Sequence, residues 1–328
     1  MTPTLLELLE AKPGQYVSGE TISKELGVSR TAVWKQIRKL EEAGYRFEAS
    51  RRLGYRLVGK PDRLTADTLL GQLRTQRFGR RVYLYDELGS TQDAAQKLAE
   101  EGAEEGTLVI AERQLNGKAR MGRSWISPFG KGIWMSMVLR PPLPVHSAPQ
   151  ITLLIAVALC RSLRRNTGLP IGIKWPNDLL VNGKKISGIL LESSAEDERL
   201  RYIVAGVGIS VNLEPADYTP EVAAKATSLA IECGRKLDRT ALLADFLGEW
   251  EQLYELYLTE GFGPVKSLWE ALAVVLNRPA VLTTPQGIVE GTPIALDDSG
   301  AIKVRKKDGT VIDVFSAEMG EPAEEGGE

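Results

Sequence analysis

The stretch Gln114-Leu115-Asn116-Gly117-Lys118-Ala119-Arg120-Met121-Gly122-Arg123-Ser124-Trp125 constrains the fold more than any other part of the chain. It sets three cations and two glycines between two runs that read as strands, Thr107 to Glu112 and Gly132 to Leu139. A packed core does not accept three charges without partners. Glycine lets backbone come close to a ligand, and Lys and Arg donate to carboxylate or phosphate oxygens. The stretch therefore reads as an anion-binding loop. Taken alone, a solvated basic hairpin stays open as an equal alternative. With few apolar anchors, the loop is expected to be mobile when empty and to fold over a bound ligand.

The chain has 328 residues, 43% of them hydrophobic, which supports two or three domains. No run approaches the roughly 20 apolar residues of a bilayer span, and Met1 to Glu10 lacks a basic region before its leucines. A membrane partner is not expected. Two cysteines, Cys160 in an apolar run and Cys233 in a loop, suit a reducing cytoplasm and give neither a disulfide framework nor metal-ligand spacing. The single histidine, His146, lies in a Pro-rich turn, so no His-based nucleophile or metal site is expected. Chemistry falls to Lys, Arg, Asp or a bound ion. From Ser29 to Lys60 there are nine Lys/Arg against three Asp/Glu, while the remainder is acidic, an asymmetry that points to a nucleic-acid-facing module.

Leucines at 5, 6, 8 and 9 give a short helix ended by Pro13-Gly14. Ser18 and Gly19 open a second helix, Glu20 to Leu26, and after Gly27 Ser29 caps a third, Arg30 to Ala43, closed by Gly44. Val33, Ile37 and Leu40 face inward on this third helix, leaving Arg30, Thr31, Lys35 and Arg38 for the major groove. A hairpin follows with Tyr45, Phe47, Tyr55 and Leu57 as its apolar positions, and its tip presents Arg51 and Arg52 to phosphates as a wing. These residues read as a winged helix-turn-helix over residues 1–60, with a basic three-helix interaction module as the lesser alternative, and Gly59 to Asp62 reads as a linker.

From 64 to 272 strands and helices interleave: strands at Val82 to Asp86, Ile171 to Trp175 and Leu200 to Val211, helices at Thr91 to Glu101 and Ala148 to Leu163, and a strand pair turned by Asn182-Gly183. Helices near Arg239 to Thr259 and Pro264 to Leu272 close it. The class is α+β, with one mixed or antiparallel sheet backed by helices. Residues 278–320 alternate apolar and polar between Gly and Asp turns and read as a small β-barrel. The acidic, Gly-rich 321–328 reads as a disordered tail.

Three more stretches carry polar groups that could meet the basic loop. Gly89-Ser90-Thr91-Gln92 opens a helix after a strand, where free N–H groups, hydroxyls and an amide gather; taken alone, an ordinary N-cap is the favoured explanation. Lys174-Trp175-Pro176-Asn177-Asp178 puts a carboxylate beside an amide, suited to hydrated Mg²⁺ or to orienting a lysine. Lys185 begins an otherwise apolar strand and calls for an anionic partner.

The set resembles bacterial biotin protein ligases of the bifunctional kind, in which a winged helix also represses biotin-related genes. The resemblance covers nearly the whole chain and rests on Ser90-Thr91-Gln92, Gln114 with Gly117 to Trp125, Ser127-Pro128, Lys174 to Asp178, Lys185 with Gly188-Ile189-Leu190, Gly206 to Ile209, and Ala226 to Leu229. It implies a class II synthetase-like central domain and an SH3-like C-terminal barrel. It implies ATP and biotin as substrates with Mg²⁺, condensed to biotinyl-adenylate, and then transfer to a lysine of a biotin carrier domain. By position, Ser90, Thr91, Gln92, Gln114, Lys118, Ala119, Arg120 and Lys185 would hold biotin; Gly117, Arg123, Trp125, Asn177 and Asn212 the nucleotide. Lys185, Arg120 and Asp178 would be catalytic. The DNA set would be Ser18, Gly19, Ser29, Arg30, Thr31, Lys35, Arg38, Arg51 and Arg52, with operator DNA as partner and homodimerisation when biotinyl-AMP is bound. The chain departs from the family's Gly-Arg-Gly-Arg-x-Gly loop in Lys118 and Ala119, and carries Ser210 where the family often has Asn. A biotin sensor without ligase activity and a lipoate-protein ligase relative are the rival readings.

Overall fold

A computed structural model describes residues 4–42, 45–50, 52–59 and 63–320. The expected helix end at Ala43-Gly44, Arg51, the linker at 60–62 and the acidic tail lie outside the described residues. The chain divides into two units, Met1–Arg63 and Leu64–Glu328.

In the first unit α1 (Leu5–Glu10) is capped by Thr4, α2 (Gly19–Leu26) by Ser18, and α3 (Arg30–Glu42) by Ser29, whose hydroxyl accepts from Ala32 N at 3.2 Å. Leu8, Val17, Ile22, Val33 and Ile37 form the core, with Phe47, Tyr55 and Leu57 packed on it from the antiparallel strands β1 (Arg46–Ser50) and β2 (Gly54–Gly59). The hairpin is tied down because Val17 and Tyr55 exchange both backbone hydrogen bonds, at 2.8 and 2.9 Å. Gly54 makes this possible, since a Cβ there would stand 2.1 Å from Val17 O. Three helices and a hairpin are the expected helix-turn-helix arrangement.

The second unit holds a seven-stranded sheet. Its strands are β3 (Val82–Leu88), β4 (Leu108–Gln114), β5 (Ile133–Leu139), β6 (Gly172–Lys174), β7 (Asp178–Val181), β8 (Lys184–Glu196) and β9 (Arg199–Ile209), in the order β3-β4-β5-β9-β8-β7-β6. Only β3–β4 is parallel, so the sheet is mixed as expected. Every residue of β5 is buried, because helices cover both faces. On one face lie α6 (Ala148–Thr167), α9 (Arg239–Glu260) and α10 (Gly263–Leu272); on the other, Ala95 and Ala99 of α5 (Thr91–Glu100) pack on Val109, Val138 and Val204.

The Asn182-Gly183 turn has both residues at positive φ (+50° and +78°), the hairpin geometry the sequence anticipates. The β8–β9 hairpin was not anticipated: it turns through Asp197 and Glu198, also at positive φ, without a glycine to mark it. Also missed are α4 (Ala66–Gln72), α7 (Pro220–Ala223) and α8 (Leu229–Cys233), all too short to show periodicity. Helix Val145–Thr167 corrects the expectation that no run could span a bilayer: it is long and apolar enough. Twelve of the α6 residues are buried, so this length serves the core. Cys160 is fully buried there and burial pushes its thiol up to about 11, as fits plain core. The C-terminal strands β10 (Ala280–Thr284), β11 (Gly287–Leu296), β12 (Ile302–Arg305), β13 (Val311–Val314) and β14 (Glu318–Gly320) form an antiparallel sheet ordered β13-β12-β11-β10-β14.

One ion pair in this unit is wholly out of water. Arg239, at the start of α9, meets Glu112 on β4 through Nη1–Oε2 at 2.9 Å and Nη2–Oε1 at 3.3 Å, both side chains at 0% exposure. Arg239 also donates to Gly132 O (2.9 Å), and Glu112 accepts from Leu64 N (2.7 Å). Removing one charge strands the other in low dielectric. Glu112→Gln is therefore expected to cost about 3–5 kcal/mol. Urea unfolding of the full chain, followed by tryptophan fluorescence, reads it: five of the six tryptophans, all but Trp34, lie in this unit. An unchanged midpoint would refute the assignment.

Candidate active site

A cavity of about 390 Å³ opens over the β8–β9 pair. Its floor is glycine because nothing larger fits. Gly188 and Gly208 face each other across the two strands, and the Trp125 indole lies on them: a Cβ at 208 would stand 2.6 Å from the ring and one at 188 would stand 3.0 Å from it. A Cβ at Gly206 would stand 2.6 Å from Gln92 Oε1.

One wall is a buried polar network at the start of α5. Ser90 caps that helix, accepting from Gln92 N at 3.2 Å, and Ser90, Thr91 and Gln92 are each at most 4% exposed. Gln114, the last residue of β4, accepts at Oε1 from Thr91 N (2.8 Å) and Thr91 Oγ1 (3.0 Å) and donates from Nε2 to Ser127 Oγ (2.9 Å). Ser136 Oγ lies 2.9 Å from Thr91 Oγ1 and donates to Gln92 Oε1 (3.0 Å), while Gln92 Nε2 donates to Val204 O (3.0 Å). Ser136 was missed from sequence. The available signal was a lone hydroxyl inside the apolar run Ile133–Leu139.

The opposite wall is cationic. Lys185 Nζ sits 2.6 Å from Asp178 Oδ1 and 5.2 Å from the centre of the Trp125 ring. Its backbone is held by the segment after α7, donating to Lys225 O (2.8 Å) and accepting from Thr227 N (3.0 Å). Arg120 donates to Asn177 Oδ1 (3.1 Å) and Ser316 Oγ (3.2 Å), and burial lowers its pKa from the usual value. Asn177 is itself fixed by Nδ2 donating to Ile189 O at 2.8 Å. Arg123 pairs with Glu318 of β14 at 2.8 Å.

Most of the expected residues converge here: Ser90, Thr91, Gln92, Gln114, Lys118, Ala119, Arg120, Arg123, Trp125, Asn177, Asp178 and Lys185 all line the cavity. Two of the expected residues, Asn212 and Gly117, do not line the cavity, and Lys118 is engaged by the protein. Asn212 is not among the lining residues; its amide receives Leu237 N (2.9 Å) and donates to Leu237 O (2.9 Å), which fixes a loop. Gly117 supports instead of lining, since its O accepts from Trp125 N (2.8 Å) and a Cβ would meet Trp125 O at 2.6 Å. Lys118 bonds to Asp93 in the first turn of α5, and that bond raises its pKa. All three cations of the loop thus have protein partners, an anchoring that apolar residues alone do not reveal. The sequence reading also lacks the third edge, Ala317 to Met319 of the C-terminal sheet, which a distant segment brings to the cavity.

Among the described residues no three His, Cys, Asp or Glu side chains group as a metal cage. Asp178, Glu221 and Glu318 are the carboxylates on the cavity, a donor set suited to an ion that arrives with most of its ligands on a nucleotide.

Residues 86–210 match the biotin/lipoate A/B protein ligase family, and residues 3–56 match an HTH domain. The bifunctional ligase/repressor BirA of Bacillus subtilis (strain 168) is 42% identical over 96% of this chain and 97% of its own length. That of Escherichia coli (strain K12) is 31% identical over 91% and 90%. The biotin protein ligase from Aquifex aeolicus, solved in complex with biotin and ATP, superposes with a TM-score of 0.63 at 27% identity, covering 74% of this chain and 98% of that one. With a helix-turn-helix unit at one end and the ligase sheet in the other, this chain belongs to the family of bifunctional biotin ligase/repressors.

Proposed function

We propose that the chain joins biotin to ATP as biotinyl-5′-AMP, passes the biotinyl group to a lysine of a biotin carrier domain, and represses biotin-related genes through its N-terminal unit. The observation that carries this is one cavity with an uncharged hydrogen-bonding wall, Ser90 to Gln92 with Gln114, facing the Lys185–Asp178 and Arg120–Asn177 pairs. A ureido ring has N–H donors and a carbonyl acceptor, and the amide and hydroxyls offer complementary partners. A carboxylate and a phosphate both need cations, which the other wall supplies.

In the first step a biotin carboxylate oxygen bonds to the α-phosphorus and the bond to pyrophosphate breaks. Lys185 and Arg120 neutralise the charge on the non-bridging oxygens. Asp178, Glu221 and Glu318 are the carboxylates that would face a Mg²⁺ carried on the ATP, which would supply charge to screen its phosphates. Trp125 covers the mixed anhydride from water. In the second step the neutral amine of the carrier lysine bonds to the carbonyl carbon, AMP leaves, and Asp178 accepts the amine proton. Ala119 and Lys118 flank the biotin side, with Lys118 positioned through Asp93; Arg123 and Asn177 serve the nucleotide.

Residues 1–60 form the DNA-binding domain, 64–272 the class II synthetase-like catalytic domain and 278–320 an SH3-like barrel whose last strand closes the cavity. Arg30, Thr31, Lys35 and Arg38, all exposed on α3, face operator DNA together with Ser18, Gly19 and Ser29 at the helix starts and Arg52 at the hairpin tip. Two free thiols suit a cytoplasmic protein. Loading with biotinyl-AMP favours a homodimer that sets two winged helices on two half-sites.

Lys185→Ala should slow biotin transfer to a purified carrier domain by about 100-fold or more, the scale of losing a preorganised charge at the reacting centre. Loss of less than tenfold would remove Lys185 from catalysis. Gln114→Leu leaves Thr91 and Ser127 without their buried partner, so biotin affinity measured by calorimetry should fall about 5-fold or more. Sedimentation of the wild type with and without biotin plus MgATP tests the dimer; one association constant under both conditions would end the regulatory part.

A further inference from the structure

Helix α3 carries a large side chain that the operator-binding reading does not use. Trp34 keeps 49% of its surface exposed, although Val33 and Ile37 beside it are buried. A single exposed aromatic needs no explanation by itself. What singles out Trp34 is its setting. At 3.6 residues per turn, Arg30, Trp34 and Arg38 lie one turn apart along one stripe of the helix, with Thr31 and Lys35 next to it.

The Arg38 guanidinium lies 5.5 Å from the Trp34 ring centre, a cation–π contact that steadies the indole while leaving much of it in water. Arg30 reaches Glu20 at 3.1 Å and Arg38 reaches Glu41 at 3.3 Å, but these are exposed pairs that phosphate can displace at little cost. By contrast Arg56 of β2 is engaged by Glu48 and lies 4.9 Å from the Tyr16 ring centre, which commits it to holding the hairpin. The helix therefore shows an apolar surface framed by exchangeable cations, with Arg30 and Trp34 on the N-terminal half that a recognition helix turns to base edges and Arg38 one turn beyond.

A polyanion with an apolar group within reach matches that surface. In the major groove the thymine C5-methyl is the apolar mark on a base edge. We propose that Trp34 is a specificity-determining residue of the DNA interface, packing its indole on a thymine methyl while Arg30 and Arg38 hold neighbouring phosphates. This rests on the operator-binding reading above.

The test starts from the full-length chain with biotin and MgATP, selecting from a pool of random-sequence duplexes. The selected duplex is then remade with deoxyuridine at each thymine in turn, which removes one methyl and keeps the hydrogen-bonding edge. One thymine in each half-site is expected to matter: losing its methyl weakens the wild type roughly four-fold, the worth of burying one such group. Trp34→Ala should bind the unmodified duplex about tenfold more weakly or worse, show no response to that methyl, and select sites without that thymine. Trp34→Phe should keep part of the response. Far-UV circular dichroism checks that the variants keep their helices; if Trp34→Ala does not, Trp34→Phe and the wild-type scan decide. A wild type that responds to no single methyl, or a folded Trp34→Ala that selects the same sequence with equal affinity, overturns the role of Trp34 and leaves operator binding standing. A wild type that selects no sequence overturns both.

Discussion

The Arg239–Glu112 pair is the constraint on which the placement of the cavity depends. Two ions at 0% exposure forfeit hydration worth several kcal/mol each, and only close, multiple hydrogen bonds in a dry interior offset that. Here the geometry joins four parts of the chain: Glu112 on β4, Arg239 at the start of α9, Gly132 at the entry to β5, and Leu64, the first residue of the unit. Glu112 and Gln114 stand two residues apart on β4, Glu112 bonded to Arg239 of α9 and Gln114 to Thr91 at the start of α5. The pair therefore fixes the strand one step below the residue that organises Thr91 and Ser127. A hydrophobic substitute could match its stability without fixing direction, because dispersion has no preferred hydrogen-bond geometry.

Close packing sets the second limit. Gly188, Gly206 and Gly208 leave the β8–β9 floor without side chains, and Trp125 and Gln92 fill that space up to ordinary contact. The indole then lies 5.2 Å from Lys185 Nζ, so one residue both roofs the floor and faces the cation. Any side chain at 208 would lift the ring, and with it Gly117, whose carbonyl holds the Trp125 amide. The distance between wall and cation is thus a consequence of three absent Cβ atoms.

What could be read from the sequence was what depends on local chemistry. Caps at Ser18, Ser29 and Ser90, the Asn182-Gly183 turn and the inward face of α3 all follow from residue type and spacing. Lys185, a cation at the start of an otherwise apolar strand, called for an anionic partner, and Asp178 stands 2.6 Å from it; Gln114 and the rest of the cavity lining came from the resemblance. The misses share a different cause. Asn212, expected at the nucleotide, spends its amide on both backbone groups of Leu237, which sequence spacing does not reveal. The Asp197-Glu198 turn adopts positive φ at both residues, a conformation Glu rarely takes, since the long β8–β9 register imposes the reversal. Glu318 enters the site from a strand nearly 200 residues away from the loop, and no spacing rule predicts such a meeting.

The partners of the basic loop also differ in strength, and this orders what a ligand can displace. Lys118–Asp93 and Arg123–Glu318 are largely exposed pairs, of a kind worth about 0–1 kcal/mol, so phosphate oxygens can take over either cation cheaply. Arg120 is different. It is partly buried, its pKa is already lowered by lost hydration, and its hydrogen-bond acceptors, Asn177 and Ser316, are neutral, while Asp178 and Glu318 act on it only through space. An incoming anion improves its solvation more than it does for the other two. Arg120 is accordingly the cation with most to gain from the proposed phosphate, while the outer pairs hold the loop near the cavity until that exchange takes place.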